Sequence, residues 1–283
     1  MMQTKKKVSV NDIIAMKGAE KISVLTAYDY STSLICDRAG VDILLVGDSA
    51  GMVVLGYPST VPVGMTEMTM FCSAVARGTK RAMIVGDMPF GSYQPNASVA
   101  VENAVQLIKA GCDAVKLEGG SEIIGTIKAI ADAGIPVMGH IGLRPQTSSL
   151  WEGYKLQGRT RESAMKLVQD AKALEKAGVF SIVLEMVASE VADTITKRVS
   201  VPTIGIGSGR GCDGQVLVLH DMLGIYEDIR PKFVKRYAEL SKSIFDAVAS
   251  YTREIKTGRF PEESNAFHMG LEELDKFRKA KKK

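Results

Sequence analysis

Three acids in this chain, Asp48, Asp87 and Glu118, each close a short run of mostly apolar residues. Carboxylates gathered at one rim repel one another unless a positive charge sits among them. With oxygen donors only, the ion they select is a hard one such as Mg²⁺, which uses one or two carboxylates and keeps waters. The competing reading is local, because an acid just past a strand also caps the helix that follows. Lys116 stands two residues before Glu118, so in a strand both project from one face. A buried lysine needs a partner. Here it either fixes an anionic substrate, most simply a carboxylate, or pairs with one of the acids.

Two more groups close runs of the same kind. Glu185 ends the run 181–185 and is followed by Met186 and Val187. Apolar surroundings raise a carboxyl pKa toward neutrality, as a general base needs; the alternative is a cap for a helix opened by Ser189 and Glu190. His140 ends the run 136–140. It either donates a hydrogen bond to a substrate oxygen or nearby carboxylate, or is an ordinary satisfied histidine. Gly205, Gly207, Gly209 and Gly211 alternate after a further apolar run. That spacing suits a phosphate cradle, a tight turn or close backbone packing, and lacks the GxGxxG order of dinucleotide sites.

Positioning such groups takes a repeated scaffold. Ala-Gly occurs at 39–40, 110–111, 133–134 and 177–178, and Asp48, Glu118, His140 and Glu185 follow six to eight residues after the respective glycines. A glycine past the last helical turn takes the left-handed conformation that ends a helix. Eight runs read as strands: 23–28, 43–48, 82–87, 114–118, 136–140, 181–185, 202–206 and 215–220. Helical patterns lie between them, such as Leu167, Val168, Ala171 and Leu174, with Thr160 as N-cap. Eight such units predict an α/β chain, a (β/α)8 TIM barrel, ahead of an open doubly wound sheet. The barrel is expected to be a single domain over 1–283, with a short polar lead, an additional C-terminal helix from Pro231 to about Gly258, and a basic tail. Long connections at 51–64, 88–97 and 141–159 carry Val53, Leu55, Tyr57, Phe90, Tyr93, Trp151 and Tyr154, which suits the walls of a site.

Composition narrows the partners. Net charge is +4, but residues 276–283 hold six Lys or Arg; without them 30 basic residues face 32 acidic ones. A solvated tail is expected rather than a nucleic-acid surface. The four cysteines are scattered with no CxxC pair, so reduced thiols in a cytoplasmic protein are expected rather than zinc or disulfides. No apolar run approaches the roughly 20 residues of a membrane span.

With these residues in place, the chain resembles the ketopantoate hydroxymethyltransferase family from about Val8 to Met269. The resemblance is carried by Leu25-Thr26-Ala27-Tyr28-Asp29, Val46-Gly47-Asp48-Ser49, Gly86-Asp87-Met88-Pro89-Phe90-Gly91, Val115-Lys116-Leu117-Glu118-Gly119-Gly120, Gly139-His140-Ile141-Gly142-Leu143 and Cys212-Asp213-Gly214-Gln215. It departs at Ser208-Gly209-Arg210, where the family more often has Ala-Gly and a neutral residue. The resemblance implies Mg²⁺ near Asp48, Asp87 and Glu118, 2-oxoacid contacts from Asp48, Ser49, Asp87 and Lys116, and proton abstraction by Glu185. It further implies hydroxymethyl transfer from 5,10-methylenetetrahydrofolate to 3-methyl-2-oxobutanoate, and a decamer of two stacked five-membered rings. One rival is a Mg²⁺-dependent 2-oxoacid carbon–carbon lyase of the isocitrate lyase and phosphoenolpyruvate mutase group. Another, from a different class, is a metabolite-binding barrel without turnover.

Overall fold

The computed structural model describes residues 6–148 and 155–280, so Trp151 and Tyr154 lie outside the described residues. Eight parallel strands close a barrel in sequence order: β1 (Ile22–Thr26), β2 (Ile43–Val46), β3 (Met83–Asp87), β4 (Ala114–Glu118), β5 (Val137–Gly142), β6 (Ser181–Glu185), β7 (Thr203–Ile206) and β8 (Gly214–Leu217). Alternation along each strand divides the apolar residues between two cores. Ile43, Leu45, Met83, Val85, Met138, Val183, Ile204 and Val216 pack inside the barrel. Their neighbours Leu44, Ile84, Val115, Leu117, Val137, Ile182 and Leu184 pack outward.

Helices Tyr30–Ala39, Met65–Gly78, Ala97–Lys109, Ile124–Asp132, Arg161–Lys176 and Ser189–Arg198 follow the first six strands. Gly40, Gly111, Gly134 and Gly178 all have positive φ, between 85° and 105°, as the Ala-Gly pattern predicts. Thr160 caps its helix by accepting from Ser163 N. No helix separates β7 from β8 among the described residues, so the seventh unit lacks its helical half. Glycine explains this short link, because a Cβ on Gly207 would lie 2.9 Å from the Phe233 ring and one on Gly209 2.2 Å from Ser189 Oγ. Those glycines serve close packing in this link.

Several strand ends differ from the sequence reading. β1 and β2 stop at Thr26 and Val46, and β8 stops at Leu217. His220 belongs to the helical turn Leu219–Met222, whose first N–H donates to Thr26 Oγ1 at 2.9 Å. β5 instead runs on to Gly142, because its register with β6 extends to Gly142↔Glu185. Where the sequence suggests one domain over 1–283, the chain forms two compact units, Met1–Tyr237 and Ala238–Lys283. The expected C-terminal helix starts only at Leu240, running to Lys256, and a further helix spans Leu271–Ala280.

Candidate active site

Strand parity decides which polar groups enter the barrel. Asp87 shares its face with Met83 and Val85; Lys116 and Glu118 share theirs with Ala114; His140 follows Met138, and Glu185 follows Val183. All five therefore face the barrel interior toward the strands' carboxyl ends, Lys116 level with Asp87 and Glu118 level with His140, where barrels of this kind do chemistry. Asp48 and Ser49 reach the same rim from the turn after β2. A cavity of about 390 Å³ opens there, and Asp48, Ser49, Asp87, Lys116, Glu118, His140 and Glu185 all line it.

The contacts are specific. Lys116 Nζ donates to Asp87 Oδ1 at 2.7 Å and Oδ2 at 2.8 Å, and lies 3.7 Å from Glu118 Oε1. The β3–β4 register aligns Asp87 with Lys116, whereas the β4–β5 register aligns Glu118 with His140. Asp48 N donates to Asp87 Oδ2 at 3.3 Å, and the two carboxyls themselves are within hydrogen-bonding reach. His140 Nε2 bonds the Leu143 carbonyl at 2.8 Å and lies 3.4 Å from Glu185 Oε2. A carbonyl only accepts, so Nε2 carries the proton and Nδ1 is the bare nitrogen. That Nδ1 is buried without a hydrogen-bond partner, 3.6 Å from Glu118 Oε1. Ser49 Oγ is paired with Tyr28 OH at 2.8 Å.

Burial sets the protonation states. It pushes the Glu185 carboxyl up to about 8 and Asp48, with Asp87 beside it, up to about 7. Glu118 is raised well above the ordinary range, also by burial first. Burial and then Lys116 hold His140 neutral. For Lys116 burial acts downward, but Asp87, Glu118 and Asp48 more than offset it and keep the ammonium charged. Met186, directly after Glu185, has φ 46°. A left-handed non-glycine residue is strained and such residues gather at functional sites.

The expected cluster of Asp48, Asp87 and Glu118 is not assembled as a trio. Among the described residues no three His, Cys, Asp or Glu side chains form a metal-sized group. The reason lies in the register, which puts the Lys116 ammonium between Asp87 and Glu118. Asp48 and Asp87 nonetheless fit a hard cation. They are adjacent, buried oxygen donors, and Asp48 is held partly protonated for want of a countercharge. Two carboxylates with the remaining positions left to substrate and water is the usual Mg²⁺ arrangement.

Sequence reasoning missed Gln146. It is fully buried and its Nε2 donates to Asp48 Oδ2 and to the Met88 carbonyl, both at 2.9 Å. Its backbone N–H donates to Glu118 Oε2 at 3.1 Å, and Tyr93 OH donates to its Oε1 at 2.7 Å. One glutamine thus joins the segment after β5 to two of the acids. The only sequence signal is a polar residue after Pro145 in a long connection, which is weak. Asp221, Tyr226 and Phe233, from the segment after β8, line the same cavity and were likewise not anticipated.

Comparison with known proteins agrees with this geometry. A family model described as ketopantoate hydroxymethyltransferase matches residues 7–263. The chain is 59% identical to the 3-methyl-2-oxobutanoate hydroxymethyltransferase of Nitrosopumilus maritimus (strain SCM1), over 95% of this chain and 97% of that one. It is 56% identical to the protein of the same description from Staphylothermus marinus, over 96% of this chain and all (100%) of that one. Among solved structures, 2,3-dimethylmalate lyase has a TM-score of 0.59 at 14% identity, covering 98% of this chain and 100% of that one. Phosphonopyruvate hydrolase in complex with oxalate and Mg²⁺ has a TM-score of 0.58 at 13% identity, covering 97% and 96%. At such low identity these structures share the fold alone. A family model spanning most of the chain, joined to relatives matched nearly end to end, decides the matter: the chain belongs to the ketopantoate hydroxymethyltransferase family.

Proposed function

We propose that this protein transfers a hydroxymethyl group from 5,10-methylenetetrahydrofolate to 3-methyl-2-oxobutanoate, giving 2-dehydropantoate for pantothenate synthesis. The observation that carries the reading is Glu185, a mostly buried carboxyl with its side chain 15% exposed, raised to about 8 by burial and lining one cavity with Asp48, Asp87 and Lys116. A base of that strength operates near neutrality. The relatives' descriptions supply the substrate, and the likeness to 2,3-dimethylmalate lyase gives the rival lyase reading no more than the fold.

Asp48 and Asp87 would hold Mg²⁺, with Glu118 on the far side of the Lys116 ammonium. When bound, the ion draws electrons from the keto oxygen and stabilises an enolate. Glu185 takes the proton from C3 of the keto acid. The new C–C bond forms between C3 and the one-carbon unit as its two C–N bonds to the folate break. Water supplies the hydroxyl, and the proton held by Glu185 and the second proton of that water go to the two folate nitrogens, so tetrahydrofolate leaves. Lys116 pairs with both Asp87 carboxylate oxygens and presents its charge to the substrate carboxylate, and Ser49 supplies a hydroxyl beside it. His140, whose Nε2–H is committed to Leu143, orients Glu185 and offers Nδ1 as an acceptor.

The reading extends to context. The four cysteines are free and buried, which supports a reducing compartment such as the cytoplasm. Helix Leu240–Lys256 exposes Phe245 at 71% and Val248 at 57%, which supports burial between subunits of a homo-oligomer, a decamer by family resemblance.

The test is exchange of the C3 proton of 3-methyl-2-oxobutanoate in D₂O. Exchange is expected with Mg²⁺, is expected to stop with EDTA, and is expected to vanish in Glu185→Gln while keto-acid binding persists. Wild-type enzyme that exchanges no proton, with or without tetrahydrofolate, would refute enolisation at this site.

A further inference from the structure

The cavity is larger than a small keto acid requires. At about 390 Å³ it falls within the range of pockets that hold drug-sized ligands. Its lining is of two kinds. One is the polar cluster of Asp48, Asp87, Lys116, Glu118, His140 and Glu185; the other is apolar, with Met52, Val53, Tyr226, Ile229 and Phe233. A further carboxylate, Asp221, joins the lining from the helical turn Leu219–Met222.

Asp221 is half-buried. Its side chain has no hydrogen bond and no ion pair among the described residues; Arg236 acts on it only at longer range. Burial lifts its carboxyl to about 6, so it is ionised at neutral pH yet unsatisfied. A carboxylate kept unpaired in an apolar wall calls for a donor from outside. The complementary ligand is flat, apolar on both faces, and carries two N–H groups side by side on one edge. The 2-amino-4-oxo-pyrimidine edge of a reduced pterin has that pattern, and a carboxylate accepts both N–H bonds at once.

We infer that Asp221 is the recognition carboxylate for the pterin edge of the one-carbon donor, with the Tyr226 and Phe233 segment as the wall of its ring. This rests on the hydroxymethyl-transfer reading and extends it, because it assigns the donor a place in the cavity. Lys232, exposed at the same rim, is placed to meet the anionic tail of a folate. The ring and the keto acid would then share one chamber, which lets the one-carbon unit reach C3.

Calorimetry on the full chain with Mg²⁺ and 3-methyl-2-oxobutanoate present measures tetrahydrofolate binding. Wild-type protein is expected to bind an analogue whose 2-amino group is replaced by methyl about tenfold more weakly than tetrahydrofolate, through loss of one charge-assisted bond. Asp221→Asn is expected to bind tetrahydrofolate at least about tenfold more weakly, to discriminate less than about twofold between the two ligands, and to leave the KM for the keto acid unchanged. Equal wild-type affinity for the two ligands overturns the inference, as does an Asp221→Asn protein that binds and discriminates like wild type. The analogue comparison needs no variant, so misfolding of Asp221→Asn leaves a decisive result. Metal-dependent C3 exchange in wild type, measured with and without tetrahydrofolate, separates the two readings: exchange with no analogue discrimination rejects Asp221 alone, whereas exchange absent under both conditions rejects enolisation itself.

Discussion

Gln146→Leu probes the site most directly, because the substitution keeps the volume and removes every side-chain hydrogen bond. Gln146 is wholly buried, and its Nε2 serves two acceptors, Asp48 Oδ2 and the Met88 carbonyl. Each buried acceptor left without a donor costs about 1–3 kcal/mol. Tyr93 OH, which loses its acceptor, can turn to the Glu118 carbonyl at 3.0 Å, so it adds little. The added apolar burial of leucine returns about 1–2 kcal/mol. The net expectation is a loss of about 2–4 kcal/mol, a fall in Tm of about 4–16 °C at about 2–4 °C per kcal/mol.

The same change has a second, sharper signature. Asp48 is already raised to about 7, and Gln146 is among the groups that hold it down. Removing a bond worth about 1.4 kcal/mol raises that carboxyl by about one further unit. A cation competes with this proton, so Mn²⁺ should bind about tenfold more weakly at neutral pH, with the deficit fading toward about pH 9 where Asp48 ionises regardless. Electron paramagnetic titration of Mn²⁺ across pH reads both effects. An unchanged affinity near neutrality, or a deficit that does not vary with pH, would refute the link between Gln146 and the acids.

Two other outcomes follow from the charge arrangement. Lys116→Met leaves Asp87 buried without its ammonium partner, so the metal-free protein should lose about 3–5 kcal/mol. Mg²⁺ should restore most of it in a thermal melt, and a melt indifferent to Mg²⁺ counts against Asp87 as a ligand. Glu185 and Asp48, raised from 4.5 to about 8 and from 3.8 to about 7, retain protons that the unfolded chain has released. Their contribution is whole below the unfolded values and is lost as pH rises through about 7 and 8. Urea unfolding of metal-free protein should therefore show stability falling across that window by up to about 1.4 kcal/mol per pH unit for each group; stability that rises there would contradict the assigned burial.

The barrel and most of its rim were legible because both follow from period. Lys116 and Glu118 share a face for the reason Met83, Val85 and Asp87 do, and the helix-ending glycines mark where each strand begins. What the sequence concealed depends on register and on loops. That Asp87 is level with Lys116 while Glu118 is level with His140 is an inter-strand relation, and no single strand displays it; hence the trio expected of three acids is a pair plus one. β8 read too long because Val218 and Leu219 are apolar in a turn as they would be in a strand. Gln146 and Asp221 lie in segments with no period at all, so only the folded chain brings them to the cavity.

Register also explains why the segment after β5 and the acids behave as one unit. At the strands' carboxyl ends four carboxyls (Asp48, Asp87, Glu118 and Glu185) share the cavity wall with the Lys116 ammonium and a neutral imidazole. Protons neutralise part of that excess, which is what the raised values of Asp48, Glu118 and Glu185 express. Gln146 can donate to Asp48 Oδ2 whether or not the acid holds its proton, since that oxygen keeps a lone pair in either state. The bond is stronger to the ionised acid and so lowers its hold on the proton that a cation would have to displace. Anchorage of the segment after β5 and metal binding therefore favour each other. The loop that borders the substrate is coupled to occupancy of the Asp48–Asp87 pair through Gln146, rather than through the strands, whose registers leave no room to shift.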